Sequence, residues 1–183
     1  MTILPVQRQS CFAESEAVQS VKTALNVETG CLRTASGDSV LSARALGSCV
    51  AVLVWDSVRR CGGLAHILLP GHPGRTEAGE RRRYAGPAIT DLLARMRSRR
   101  SDPVSWRIFL IGGGNVLRKS DDTICSENIL SVRQILRAKG LRPVREVLGG
   151  TTWKNVSLCV ATGCVRYRIG QEKQKIVRLE EGL

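Results

Sequence analysis

Two residues have types and neighbours that could do covalent chemistry together: Cys49, in Gly47-Ser48-Cys49, and His66, seventeen positions further on. A thiol becomes a strong nucleophile once it loses its proton, and an imidazole is the side chain best suited to take that proton near neutral pH. Their meeting leaves a thiolate–imidazolium pair. Gly47 and Ser48 let the backbone turn sharply before the thiol, so nearby N–H groups can serve as oxyanion donors. The other thiols lack these conditions. Cys11, Cys31, Cys125 and Cys164 have no nearby histidine, Cys61 falls in a turn and Cys159 within a strand, while His72 sits in a polar loop. A zinc site built on Cys61 and His66 lacks two further ligands at suitable spacing. The bland alternative is a small buried cysteine beside a packing histidine, so the elements that carry the two residues must decide.

Those elements are legible. Val50 to Trp55 (VAVLVW) and Gly63 to Leu69 are apolar runs of strand character, separated by too few residues for a crossover helix, so they form an antiparallel hairpin. Placing Trp55 opposite Cys61 makes paired residue numbers sum to about 116, which brings Cys49 and His66 to neighbouring positions within a residue or two. Around this hairpin, Val27 to Arg33 reads as a strand, Ser36 to Asp38 as a turn and Ser39 to Leu46 as a further extended stretch. Pro70 to Gly86 reads as a mobile surface loop. A helix begins at Pro87, with Ile89, Leu92, Leu93 and Met96 on its apolar stripe. Trp106 to Ile111 is a strand that ends in Gly112-Gly113-Gly114-Asn115. The run on to Lys119-Ser120 lacks the glycine that a phosphate-binding loop needs before its lysine, so a tight turn is the better reading. A second helix spans about Ser126 to Lys139 with Ile129, Val132 and Leu136 inward, closed by Gly140. Pro143 to Leu148, Thr152 to Ala161 and Cys164 to Ile169 complete the strands. The pattern is an α/β domain with mixed pairing. Residues 1–25 form an extension in which Ala13 to Leu25 could make a short helix, residues 26–170 the domain, and residues 171–183 a charged tail that frays.

The chain has 183 residues, 43% of them hydrophobic, which suits one compact domain. No run reaches a membrane span and no export signal precedes the domain, so a cytoplasmic, reduced protein is expected. The net charge of +12 comes with only 4% aromatics, and none interleave with the basic runs at Arg81 to Arg83, Arg97 to Arg100 and Lys173 to Arg178. A nucleic-acid platform would need that interleaving; solvated basic faces or docking onto an acidic partner remain.

LGSCVAVLVWD (46–56) followed by GGLAHILLP (62–70) resembles the signature of the CheD family of chemoreceptor glutamine deamidases. YAGPAITDLLARM (84–96), IFLIGGGN (108–115), SENILSVRQILRAKGL (126–141) and VREVLGGTTWKNVSLCVATGCVRYR (144–168) follow in the family's order. The resemblance implies a layered α/β sandwich with a mixed, mostly antiparallel sheet, similar to the deamidating domain of cytotoxic necrotizing factor toxins. It also implies conversion of glutamines on methyl-accepting chemotaxis receptors to glutamates with release of ammonia, and no cofactor or metal. Cys49 matches the nucleophile and His66 the general base. Receptor helices and a CheC-type phosphatase are the implied partners. Two positions depart from the pattern. Ala43 stands where the family commonly has a threonine, which leaves Ser42 as the candidate supporting hydroxyl, and Cys125 stands where a glycine usually opens the Gly-x-x-Asn start of the second helix. Ala43 keeps a second reading open, a non-catalytic adaptor of the same fold.

Overall fold

The computed structural model describes residues 23–74, 80–120 and 123–181. Ten strands divide between two five-stranded sheets. One sheet holds β1 (Thr23–Asn26), β3 (Ser39–Leu46), β8 (Lys154–Cys159), β9 (Cys164–Ile169) and β10 (Lys175–Arg178), in the order β1-β3-β8-β9-β10. The other holds β2 (Leu32–Ser36), β5 (Cys61–Ile67), β4 (Val50–Asp56), β6 (Trp106–Gly112) and β7 (Arg145–Leu148), in the order β2-β5-β4-β6-β7. Each sheet has one parallel pair, β1 with β3 and β6 with β7, and is otherwise antiparallel. This is the layered sandwich expected, with its strands shared between two sheets.

Alternation along β4 explains the layering. Val50, Val52 and Val54 join one apolar cluster with α1 (Ala85–Ser98) and α2 (Ile124–Ala138). Ala51, Leu53 and Trp55 point the other way into a second cluster with Leu41, Ala43, Val156 and Leu158 from the facing sheet. A strand buried on both faces reads as an unbroken apolar run, and β4 is buried at every position. The helices therefore cover one sheet only, giving sheet, sheet and helix layers. Trp55 spans the inter-sheet core, and its indole N–H donates to Val160 O at 2.8 Å.

Several sequence expectations need correction. Val27 to Arg33 is not one strand, because Thr29 and Gly30 form a turn between β1 and β2. Thr23 to Leu25 are strand rather than helix; the rest of the expected N-terminal helix lies outside the described residues. The charged segment after Gln171 does not fray along its length, since Lys175–Arg178 pairs with β9 as an edge strand. Nor is Pro70 to Gly86 uniformly a free loop. Residues 80–83 make a helical turn whose Arg83 O accepts from Leu68 N and Leu69 N, just beyond β5. Cys61 opens β5 and is buried rather than sitting in a turn. Among the described residues no helix is long and apolar enough to cross a membrane.

Removing the indole that joins the two sheets should cost more than removing its hydrogen bond. Trp55→Ala is expected to destabilise by about 3–5 kcal/mol, and Trp55→Phe by less, measured as urea-unfolding free energies. Equal losses for both variants would assign the effect to the N–H rather than to packing.

Candidate active site

The β4–β5 hairpin forms as expected, with a register one residue from the estimate: Trp55 pairs with Gly62 and Ala51 with His66. Asp56 fixes this register, because Oδ1 accepts from the N–H groups of Val58 and Arg59 within the connecting turn. Cys49 lies two residues before Ala51 and packs with the same inter-sheet cluster. Cys49 and His66 thus share one face of the sheet as diagonal neighbours. Diagonal positions stand roughly 7–8 Å apart at the backbone, within reach of extended side chains.

His66 is buried, and both ring nitrogens are engaged. Nδ1 lies 3.1 Å from Val27 O and Nε2 lies 3.4 Å from Thr29 Oγ1. A carbonyl oxygen can only accept, so Nδ1 carries the proton and Nε2 presents its lone pair in the neutral ring. Backbone bonds hold the β1–β2 turn in place, with Gly30 N donating to His66 O and His66 N donating to Cys31 O. No hydrogen bond joins either ring nitrogen to Cys49 Sγ in this structure. Burial pulls the His66 pKa below the ordinary imidazole value, with the Val27 bond opposing it. Burial likewise pushes the Cys49 thiol up, against its own backbone N–H. Both shifts favour the uncharged forms.

The loop before β4 is braced through its carbonyls. Gly47 O accepts from Gly114 N at 2.7 Å, and Cys49 O accepts from Gly113 N at 2.8 Å. Ser48 O accepts from Asn128 Nδ2 at 3.0 Å, and the same amide donates to Leu68 O at 2.9 Å. Among the described residues the Ser48 N–H makes no hydrogen bond, and the Cys49 N–H turns to its own Sγ. N–H groups beside a thiol are the kind of donor an oxyanion requires. Gly112 makes the bracing possible: its φ is +127°, and a Cβ there would stand 2.1 Å from Cys49 O.

Ser42 is not brought to the site. Leu41 and Ala43 face the inter-sheet core, so Ser42 points to the other side of its sheet, where Oγ donates to Asn26 Oδ1 at 3.4 Å. The hydroxyl nearest the imidazole belongs to Thr29, which the sequence reading missed. Asn128 was also missed as a functional residue. It is fully buried at the start of the apolar stripe of α2, and a buried amide amid Val132 and Leu136 was the available signal. Lys154 is a third. It is buried at the start of β8, its Nζ donates to Gly149 O at 2.6 Å and Thr152 O at 3.2 Å, and it backs onto Gly114. Ser126, expected to begin the second helix, lies inside its first turn and bonds Thr123 O.

The family model described as CheD chemotactic sensory transduction matches residues 68–169. The chain belongs to the CheD family. A relative from Chlorobium luteolum, named a probable chemoreceptor glutamine deamidase CheD, is 34% identical over 149 residues, 81% of this chain and 74% of its own. One from Burkholderia thailandensis, named a probable chemoreceptor glutamine deamidase CheD 2, is 34% identical over 165 residues, covering 87% and 84%. One from Methanococcus maripaludis (strain S2), named like the first, is 34% identical over 135 residues, covering 72% and 86%. The CheD model begins two residues past His66, whereas alignments as long as the first two necessarily span the β4–β5 hairpin. A solved structure, the Bacillus licheniformis hypothetical protein YfiH, is 19% identical with a TM-score of 0.38, covering 63% of this chain and 49% of that one; this is too loose a match to bear on the fold.

Two measurements test the site's construction. Asn128→Leu leaves two buried carbonyls without their donor and is expected to cost roughly 2–4 kcal/mol in urea unfolding; Asn128→Asp, which sets a carboxylate against both, should cost more. Because its thiol is raised, Cys49 should alkylate slowly with iodoacetamide at pH 7, with a rate still climbing above pH 9 when its peptide is followed by mass spectrometry. A rate already level from about pH 5 would instead mark a standing thiolate.

Proposed function

We propose that the chain is a protein-glutamine deamidase of the cysteine-nucleophile type, acting on chemoreceptors as its relatives' names describe. The observation that carries this is the shared face of Cys49 and His66, combined with an imidazole whose Nδ1–H is held on Val27 O and whose Nε2 lone pair faces the Thr29 hydroxyl at 3.4 Å. Cys49 Sγ attacks the carboxamide carbon as its proton passes to His66 Nε2. The carbonyl π electrons move onto oxygen, which the Ser48 and Cys49 N–H groups stabilise. The C–N bond then breaks, Nε2–H protonates the departing nitrogen, and ammonia leaves a thioester. Water, deprotonated by Nε2, attacks that thioester; the C–S bond breaks, the thiolate recovers the proton, and the side chain is now glutamate.

Thr29 supports His66 through both states. Its hydroxyl donates to Nε2 when the ring is neutral and turns to accept once Nε2 is protonated. It thus supplies near the imidazole the hydroxyl that Ala43 cannot. Neutral resting forms suit this scheme, since the thiol is deprotonated only as the substrate arrives. An open groove of about 520 Å³ lies beside Gly47, walled by Ala45, Val116 and Trp153, and fits a side chain presented from a protein segment better than a free small molecule. The adaptor reading rests on Ala43 alone, and binding of a CheC-type phosphatase belongs with it.

Incubation with a receptor cytoplasmic fragment should release ammonia and add about one dalton at defined glutamines, read by mass spectrometry. Cys49→Ala is expected to abolish this, and His66→Ala to lower kcat/KM by about 10²–10⁴-fold. Thr29→Ala should lower kcat by about tenfold, with Thr29→Ser restoring most of it. Binding that persists without any turnover by the native chain would favour the adaptor.

A further inference from the structure

Thr29 has a second exposure. It also walls a cavity of about 470 Å³, together with Gly30, Cys31, Glu80, Arg81, Arg82 and Arg83. This basic wall is fixed to the strand that carries the imidazole. Arg83 O accepts from Leu68 N and Leu69 N at 3.0 and 2.8 Å, and Tyr84 N closes the turn on Arg81 O at 3.1 Å. The Arg83 stem lies across Gly30, where φ is +76° and a Cβ would meet Arg83 Cγ at 2.8 Å. Only a residue without a Cβ lets the arginine lie there.

The charges in this cavity are unevenly spent. Arg82 pairs with Asp91 at 2.9 Å and Arg83 with Glu80 at 2.7 Å, both at exposed positions. Arg81 forms no ion pair among the described residues. Three arginines and one carboxylate, Glu80, therefore line one cavity with Thr29, whose hydroxyl lies 3.4 Å from His66 Nε2. A guanidinium fork matches a carboxylate in geometry as well as charge.

We infer that this cavity is a substrate subsite that receives an acidic side chain flanking the target glutamine, with Arg81 as its principal anchor. The inference deepens the deamidase reading and rests on it: the preferred glutamine lies in an acidic stretch of the substrate protein. It gives the strongly basic chain a specific use for one of its runs. Because the contact is at an open rim, its strength is modest and falls with salt.

The test uses two synthetic peptides, identical but for glutamate or alanine at the positions flanking one glutamine. Turnover is followed by mass spectrometry, and binding by fluorescence anisotropy on the full-length Cys49→Ala chain. The acidic peptide should be preferred roughly fivefold in kcat/KM and in affinity at 0.05 M salt, with less preference at 0.5 M. Arg81→Glu, shown to be folded by its thermal unfolding, should bring that ratio to one or invert it. Equal handling of the two peptides by the native chain would overturn the inference, as would a ratio unchanged in Arg81→Glu. If neither peptide is turned over, the deamidase reading falls, while the binding ratio still decides whether the acidic subsite exists.

Discussion

One side-chain amide ties together the two stretches on which the proposed chemistry depends. Asn128 Nδ2 donates to Ser48 O, beside the thiol, and to Leu68 O, two residues past the imidazole. Strand pairing places Cys49 and His66 on one face, but pairing ends at Val50 and Ile67. Beyond that point the two backbones would be free to diverge. The amide holds them at a fixed separation, and it does so from a position fully removed from water, where the loss of either bond is costly. The glycine turn at the end of β6 completes the arrangement by occupying the carbonyls of Gly47 and Cys49.

The consequence for reactivity is a division of labour between the two faces of the loop. Its carbonyls are bonded to the glycine turn and to Asn128, and in the proposed scheme the N–H groups of Ser48 and Cys49 turn to the ligand. Burial favours the uncharged forms of the thiol and the ring, while Val27 O selects the tautomer. Nothing in this design needs a standing ion pair. A neutral pair in a partly apolar setting avoids the desolvation that a thiolate–imidazolium pair would incur.

Much of this was legible in the residues. The β4–β5 hairpin followed from two continuous apolar runs and a turn too short for a crossover, with a one-residue error in register. That error changes direct opposition into a diagonal. The helix stripes were legible too, since Leu92, Leu93, Met96, Val132 and Leu136 are buried at helical spacing. Other parts left no local trace. Thr29 reaches His66 across 37 residues of sequence, from a turn hidden inside what reads as a strand. The edge strand β10 carries mostly exposed, charged residues, so no apolar alternation announced it. Lys154 is buried although lysine is ordinarily exposed, because nearby carbonyls satisfy it. Division of the strands into two sheets depends on which apolar faces meet, and no single strand records that.

The order in which the braces occur along the chain has a consequence for synthesis. Val27 and Thr29 emerge first, then the cysteine, then the histidine, and only much later Gly113, Gly114 and Asn128. A nascent chain that has reached His66 holds both reactive groups but none of the donors that organise the loop between them. Its cysteine is then an ordinary thiol with no defined pocket. On the deamidase reading, competence to attack an amide therefore waits until the second helix docks.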